Sequence, residues 1–268
     1  MTWARLDDVT IRYEVSGGGT KDIVLLHELG GSLESFDGVV GALDGAFRIL
    51  RYDQRGAGLS EKPRRAFTQA DHVADLSQLM AAAGFAPPYR FAGVAAGAAI
   101  AVGFALDHPA AVDGLALCAP ALTVAPDRNH YLTERSMAAM RDGMAAIVDA
   151  TLDRSYPEIV RRDRAIFDAY RGRFLANDPV GYAHANLALA GSDLEDRLGD
   201  LRMPCLVVAG LHDLLRPPSA VEPLARRIAD ADYAVIDSGH LMPVQAPHEL
   251  AARLHAFFAR PQAVSGAS

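Results

Sequence analysis

Two residues in the last third of the chain have the types and positions needed for acid–base chemistry. Asp213 lies in AGLHDLLRPP and His240 lies in IDSGHLMP, and each stretch directly follows an apolar run. A carboxylate can orient an imidazole so that the imidazole removes a proton from a hydroxyl group or from water. We therefore expect Asp213 to position His240 and His240 to act as a general base.

A third position is informative because of the group that it lacks. In RFAGVAAGAAIAVGFALDHP an apolar run leads through a turn of small residues into a helical pattern, and Gly93 and Gly97 flank the turn. The pattern Gly-x-Ser-x-Gly places a nucleophilic serine at such a turn. Here the central residue is Ala95. A methyl group cannot attack a carbonyl carbon, so no acyl intermediate can form on this residue.

Ala95, Asp213 and His240 are far apart in the sequence, so a sheet must bring them together. The sequence contains runs that predict the strands of such a sheet. Six short apolar runs alternate with segments of helical period, which is typical of an α/β fold with a parallel sheet. The runs are DIVLLH, FRILRYD, YRFAGVA, VDGLALCAP, PCLVVAG and ADYAVID. The opening ARLDDVTIRYEVSGGG alternates apolar and polar residues, which predicts an antiparallel hairpin at one edge of the sheet. Ligands bind outside the carboxyl ends of such strands, where the candidate residues lie.

The strand pattern stops in the middle of the chain. Residues 122–190 are helical in pattern and contain no strand-like run, so we interpret them as a lid over the edge of the sheet. The expected organisation is a core from 1–121, this lid, a second core segment from 191–262 and a disordered tail from 263–268.

Composition excludes several classes of function. The chain has 268 residues, half of them hydrophobic, and a formal net charge of −7 with scattered arginines, which argues against a nucleic-acid partner. No run is long and apolar enough to span a membrane, and no signal peptide is evident, so we expect a cytoplasmic protein. No phosphate loop, dinucleotide fingerprint or metal-ligand cluster is present, so we expect no cofactor and no metal. The expected partner is a small-molecule substrate, and the chain is a monomer or a homodimer.

The motifs together resemble the α/β-hydrolase fold superfamily, in its group of esterases, enol-lactonases and C–C hydrolases. The stretches that carry the resemblance, in the order and spacing of that fold, are VLLHELGGS, RYDQRGAGLS, FAGVAAGAAIAVGFALDHP, PCLVVAGLHDLLRPP and DSGHLMPVQAPHEL. The resemblance implies a mostly parallel eight-stranded sheet with helices on both faces and a helical lid. The chain is also similar to the aminoacrylate hydrolases of pyrimidine degradation, in which alanine can occupy the nucleophile position.

The resemblance also implies roles for individual residues. Asp213 and His240 correspond to the acid and the base, and Ala95 occupies the nucleophile position. The backbone N–H groups of Leu29 and Ala96 would form an oxyanion hole. Glu28 departs from the family pattern, because it stands where a glycine usually follows the histidine of HELGGS. A carboxylate there would repel a developing oxyanion.

Several side chains are candidates for contacting a small anionic substrate, since they belong to the predicted lid or to the loops at the sheet edge. They are Glu28, Arg128, His130, Tyr131, His184 and Arg216.

The expected activity is hydrolysis of a small, labile acyl, lactone or enamine-type substrate, including carboxylate-bearing ones, with water activated by His240. Three alternatives stay open. The chain could be a serine esterase or lactonase whose serine has been replaced by alanine. It could also be a small-molecule receptor or a cofactor-free oxygenase on the same fold. Replacing His240 separates enzymes from a receptor, and oxygen consumption identifies an oxygenase.

Overall fold

Eight strands form one sheet in the computed structural model, which describes residues 1–43, 45–124, 126–229 and 231–260. The strands are β1 (Thr2–Arg5), β2 (Thr10–Ser16), β3 (Lys21–Leu26), β4 (Phe47–Tyr52), β5 (Tyr89–Val94), β6 (Val112–Cys118), β7 (Cys205–Gly210) and β8 (Asp232–Ile236). The helices are α1 (Asp37–Leu43), α2 (Gln69–Ala82), α3 (Ala96–Asp107), α4 (Pro126–Asp142), α5 (Val148–Ser155), α6 (Arg164–Leu175), α7 (Pro179–Ala190), α8 (Pro218–Ala225), α9 (Met242–Gln245) and α10 (Pro247–Phe258). The predicted tail, 263–268, lies outside the described residues.

The strand order is β1-β2-β4-β3-β5-β6-β7-β8. Strand β2 pairs antiparallel with β1 and with β4, and every other pairing is parallel. The predicted edge hairpin and the mostly parallel sheet are both confirmed. All six strands predicted from apolar runs are present as β3 to β8, because these runs are long enough to cross a sheet that is covered on both faces.

Alternate residues of the central strands pack on opposite faces of the sheet. Val24 and Leu26 belong to a core shared with α2, α3 and α8. Ile23 and Leu25 belong to a second core shared with α1 and α10. Helices therefore cover both faces, as the sequence predicts.

The register of the parallel strands brings the candidate loops to one edge. Val94 pairs with Cys118, Cys118 pairs with Val208, and Gly210 pairs with Ile236. Strands β5, β7 and β8 consequently end at nearly the same level. The loops that follow them carry Ala95, Asp213 and His240, so the sheet alone brings these three positions to the same edge.

Helices α4 to α7 lie between β6 and β7, and we refer to them as the inserted helices. They share a separate apolar cluster that includes Phe167, Tyr170 and Tyr182. A single antiparallel bridge between Thr123 and Asp193 joins the two ends of the insertion. The exact division of the chain at 121/122 and 190/191 stays a prediction. Each helix in the described ranges is too short or too polar to cross a membrane.

Candidate active site

The turn at Ala95 has the backbone geometry of a sharp strand-to-helix bend. Ala95 has φ 50° and ψ −106°, a conformation that is strained for any residue other than glycine. A Cβ atom on Gly93 would lie 2.6 Å from the backbone of Gly97, and one on Gly97 would lie 2.3 Å from the carbonyl oxygen of Leu26. Both flanking glycines are therefore needed for the bend, and the bend presents the residue at 95 at the edge of the sheet.

Asp213 and His240 form a hydrogen-bonded pair across the ends of β7 and β8. Asp213 Oδ2 lies 2.8 Å from His240 Nδ1. Asp213 Oδ1 accepts hydrogen bonds from the backbone N–H groups of Leu215 at 2.8 Å and Arg216 at 2.9 Å. Both carboxylate oxygens are thus held, and the carboxylate fixes the orientation of the imidazole. His240 Nε2 makes no hydrogen bond to any described residue, so it is available for a proton transfer.

The environment of Asp213 favours its ionised form. Burial alone would raise the pKa of this carboxyl group, because it disfavours a charge. The opposing effects are the charge of His240, the hydrogen bond from its ring and the two backbone N–H groups, and together they hold the pKa of Asp213 below its ordinary value. Asp213 therefore stays a carboxylate beside the imidazole.

A cavity of about 360 Å³ lies between the strand ends and the inserted helices. From the core it is lined by Leu29, Ala95 and His240, which are among the residues that the sequence predicts for the chemistry. This volume suits a small molecule rather than a peptide chain or a lipid. His240 and Ala95 thus line the same cavity.

Two backbone N–H groups beside the cavity are free to stabilise negative charge. Ala96 begins α3, so its N–H has no acceptor within the helix. The N–H of Leu29, which lines the cavity, has no acceptor among the described residues. The carbonyl oxygens of Leu26 and His27 lie against Gly97, which holds the loop before Leu29 next to the start of α3. This arrangement is consistent with the predicted oxyanion hole.

Four arginines line the cavity: Arg128, Arg135, Arg154 and Arg216. Burial lowers the pKa of Arg216, and the nearby positive charge of Arg128 lowers it further, against the opposite influence of Asp213 and Glu195. Arg216 donates to the carbonyl oxygen of Thr123 at 3.2 Å, but neither Arg128 nor Arg216 forms an ion pair with a described carboxylate. Two guanidinium groups that raise each other's energy are stabilised by an anion between them.

Glu28 is buried and lines the same cavity. Its Oε1 accepts hydrogen bonds from the hydroxyl groups of Ser35 and Tyr170, each at 2.8 Å. Its Oε2 has no hydrogen-bond partner among the described residues. The charge of Glu28 and the hydrogen bond to it, added to burial, raise the pKa of Tyr170 well above its ordinary value, so Tyr170 stays a donor.

The structure places two of the predicted substrate contacts away from the cavity. Residues 128, 131, 132 and 135 of α4 line it, and these share one face of a helix, whereas His130 is not among the lining residues. In α7 the lining positions are 182, 186 and 189, and His184 instead packs edge-to-face on Phe67 with ring centroids 5.7 Å apart. A side chain two residues away from a lining position points to the opposite side of the helix.

Several lining residues were not identified from the sequence. They include Arg135, Arg154, Tyr170 and Asn186. The spacing i, i+3, i+4, i+7 from Arg128 to Arg135 is the signal that could have identified Arg135. No local pattern marks Tyr170, because its contact with Glu28 joins residues 142 positions apart.

Comparison with protein families identifies the fold family. A family model described as serine aminopeptidase, S33, matches residues 20–240 of this chain. The chain belongs to this family of α/β hydrolases. It is therefore an α/β-hydrolase-fold enzyme and a hydrolase, and the serine in the family's description has no counterpart at Ala95.

Individual relatives of this hydrolase agree with that assignment. A protein of Rhizobium rhizogenes named “Putative carbamate hydrolase RutD” is 30% identical over 252 residues, which cover 89% of this chain and 94% of that protein. The crystal structure of the enol-lactonase from Burkholderia xenovorans is 29% identical, with a TM-score of 0.91, and the match covers 97% of this chain and all of that one.

A third similar protein is a thermophilic esterase from Thermogutta terrifontis, whose structure has malate bound. It is 25% identical to this hydrolase with a TM-score of 0.90, and the match covers 95% of each chain. All three relatives carry names of hydrolases, and the cavity described above has the size for small substrates.

Proposed function

We propose that this hydrolase cleaves a small, labile acyl, lactone or enamine-type substrate that carries a carboxylate, and that His240 activates the attacking water directly. The observation that supports this most is the placement of His240: its ring is held by Asp213 at 2.8 Å, and it shares one cavity with Ala95 and the arginines.

The chain's own residues suffice for a reaction without an acyl-enzyme. His240 Nε2 accepts a proton from water as the water oxygen attacks the carbonyl carbon, and the N–H groups of Leu29 and Ala96 stabilise the oxyanion. When the oxyanion collapses, the bond to the leaving group breaks and His240 returns the proton to that group. Asp213 remains ionised and stabilises the imidazolium in between.

The missing hydroxyl group limits which substrates can react. In a serine-based triad, what remains after loss of the nucleophile is still worth about 10³ to 10⁴ over the reaction in water. That acceleration is useful only for acyl bonds that already hydrolyse readily. The names of the relatives, which include a carbamate hydrolase and an enol-lactonase, support substrates of this kind.

The arginines support a carboxylate on the substrate. Arg128 and Arg216 lie close enough for the charge of Arg128 to lower the pKa of Arg216, and although Asp213 and Glu195 oppose this effect, neither arginine forms an ion pair with a described carboxylate. An anionic group on the substrate would satisfy both and would place the acyl group toward His240. The malate bound to the related esterase is a small dicarboxylate, which is the kind of anion that these arginines would bind.

The test compares two aryl esters that differ in charge, mono-para-nitrophenyl succinate and para-nitrophenyl butyrate. We expect the anionic ester to be hydrolysed with the higher kcat/KM. His240→Gln should reduce kcat by about 10² to 10⁴, because it removes the base. The matched control is His248→Gln, at an exposed histidine that does not line the cavity. Full activity of His240→Gln would contradict the proposal.

A further inference from the structure

One polar group in the site without a hydrogen-bond partner among the described residues is the second oxygen of Glu28. The residue is 1% exposed and lines the cavity, and Oε2 is buried without a partner among the described residues. A buried carboxylate oxygen that lacks a hydrogen bond destabilises the folded protein, and a ligand that supplies a donor removes that penalty. A ligand that donates a hydrogen bond to Oε2 is therefore favoured at this position.

The first oxygen of Glu28 is firmly held, which fixes where the second one lies. Ser35 comes from the core and Tyr170 from the inserted helices, and both donate to Oε1 at 2.8 Å. The carboxylate is also close against the backbone, since a Cβ atom on Gly31 would lie 2.3 Å from Oε1. Rotation of the carboxylate would therefore break both hydrogen bonds to Oε1.

The chain position of Glu28 decides which part of a substrate it meets. It directly precedes Leu29, whose N–H belongs to the proposed oxyanion hole. A carboxylate next to an oxyanion is unfavourable, so the substrate atom that faces Glu28 must be a neighbour of the carbonyl group that donates a hydrogen bond. The nitrogen of an amide or carbamate is such an atom, whereas the bridging oxygen of an ester or lactone only accepts hydrogen bonds.

We propose that Glu28 accepts a hydrogen bond from a substrate N–H group and thereby selects substrates with nitrogen beside the carbonyl carbon over their oxygen analogues. The proposal rests on the proposed function in taking this cavity as the substrate site, and it narrows the proposed labile substrates to those with an N–H group beside the carbonyl carbon, such as carbamates. An oxygen analogue would leave Oε2 unpaired and would place a second acceptor against it, so the site discriminates by repulsion as well as by attraction.

The experiment measures the dissociation constants of N-acetylglycine and acetoxyacetate by calorimetry. The two ligands carry the same carboxylate and differ only in N–H against O, and any acetate released from the ester is measured and corrected for. We expect the wild type to bind the amide about 10- to 100-fold more tightly, the range for a hydrogen bond to a charged group. Equal or tighter binding of the ester, or no binding of the amide, would overturn the proposal.

Glu28→Gln is expected to reverse this preference. The carbonyl oxygen of the new amide would take the two hydroxyl donors, and its NH₂ group would take the place of Oε2 and donate to the ester oxygen. The matched control is Glu222→Gln, which removes the same charge from a residue that pairs with Arg226 and does not line the cavity, and it should keep the ratio of the wild type. A purely structural role for Glu28 would weaken both ligands equally and leave the ratio unchanged.

Two further results keep the test decisive. Should Glu28→Gln fail to fold, as monitored by thermal unfolding, the ratio of the two constants in the wild type decides alone. Because binding needs no turnover, His240→Gln must show the same ratio as the wild type even though the proposed function predicts that it is inactive. A wild type that binds the amide more tightly, together with a His240→Gln variant that hydrolyses the succinate ester as fast as the wild type, would refute the proposed function and leave the role of Glu28 standing.

Discussion

The two sides of the cavity differ in how their charges are paired. On the catalytic side, Asp213 uses both carboxylate oxygens within the protein, in one hydrogen bond with His240 and two from backbone N–H groups. On the cationic side, formed by Arg128, Arg154 and Arg216, no ion pair with a described carboxylate is present. Arg154 and Arg216 donate only to backbone carbonyl oxygens, at 3.5 and 3.2 Å.

In the proposed function this difference separates the groups that do the chemistry from those that recognise the substrate. A base must keep its orientation whether or not substrate is present. Asp213, which orients His240, therefore has both carboxylate oxygens hydrogen-bonded within the protein. Groups that bind an anion are stabilised only when the anion arrives, and the folded protein carries the cost of their unpaired charge until then. Changes on the catalytic side should therefore affect kcat, and changes on the cationic side should affect KM.

The largest effect is expected on the catalytic side from Asp213→Asn. The substitution removes the negative charge that orients and stabilises the imidazolium, and kcat for the succinate ester should fall by about 10² to 10⁴. The control is Asp237→Asn, which removes an exposed carboxylate paired with Arg162 and His212 at the end of β8. A loss confined to KM would break the distinction between the two sides.

A smaller and different effect is expected on the cationic side from Arg216→Gln. Loss of a charge-assisted hydrogen bond should raise KM for the succinate ester about 10- to 100-fold and leave the neutral butyrate ester almost unaffected. Arg226→Gln serves as the control, because Arg226 is exposed and pairs with Glu222 within the same helical segment. Equal losses for the two esters would show that Arg216 does not recognise charge.

The smallest effect concerns stability in acid. The pKa of Asp213 is lowered on folding, so this carboxylate stabilises the protein above its ordinary pKa, and the stabilisation is lost as the pH falls through the lower, folded-state pKa. Below about pH 4 the free energy of unfolding of the wild type should therefore decrease more steeply than that of Asp213→Asn. Urea unfolding at a series of pH values measures this. Parallel curves for the two proteins would mean that Asp213 is not stabilised as a carboxylate.

The sheet and the catalytic side could be predicted because their determinants are local in the sequence. Each of the strands β3 to β8 comes from an apolar run, and the loops that carry Ala95, Asp213 and His240 follow such runs directly. Parallel strands then bring these loops together whatever the rest of the chain does. The glycines at 93 and 97 identified the bend even without a serine, because the bend needs them on steric grounds.

The inserted helices were harder to predict for a physical reason. Helix α4 has polar residues on several sides, so composition alone does not show which side meets the cavity. The sequence therefore predicts both Arg128 and His130 as substrate contacts. Only the spacing of the lining positions 128, 131, 132 and 135 along the helix distinguishes Arg128 from His130. The partner of Glu28 could not be found locally at all, since Tyr170 reaches it from a different helix through the tertiary fold.

The central claim is that water attacks the substrate directly, with His240 as the base and no covalent intermediate on Ala95. Rapid mixing with mono-para-nitrophenyl succinate, combined with intact-protein mass spectrometry during turnover, tests it most directly, with Ala95→Ser as the reference that can be acylated. We predict linear release of nitrophenolate by the wild type and no succinyl adduct on the protein. A burst of nitrophenolate, or a succinylated wild-type chain that turns over, would contradict the account.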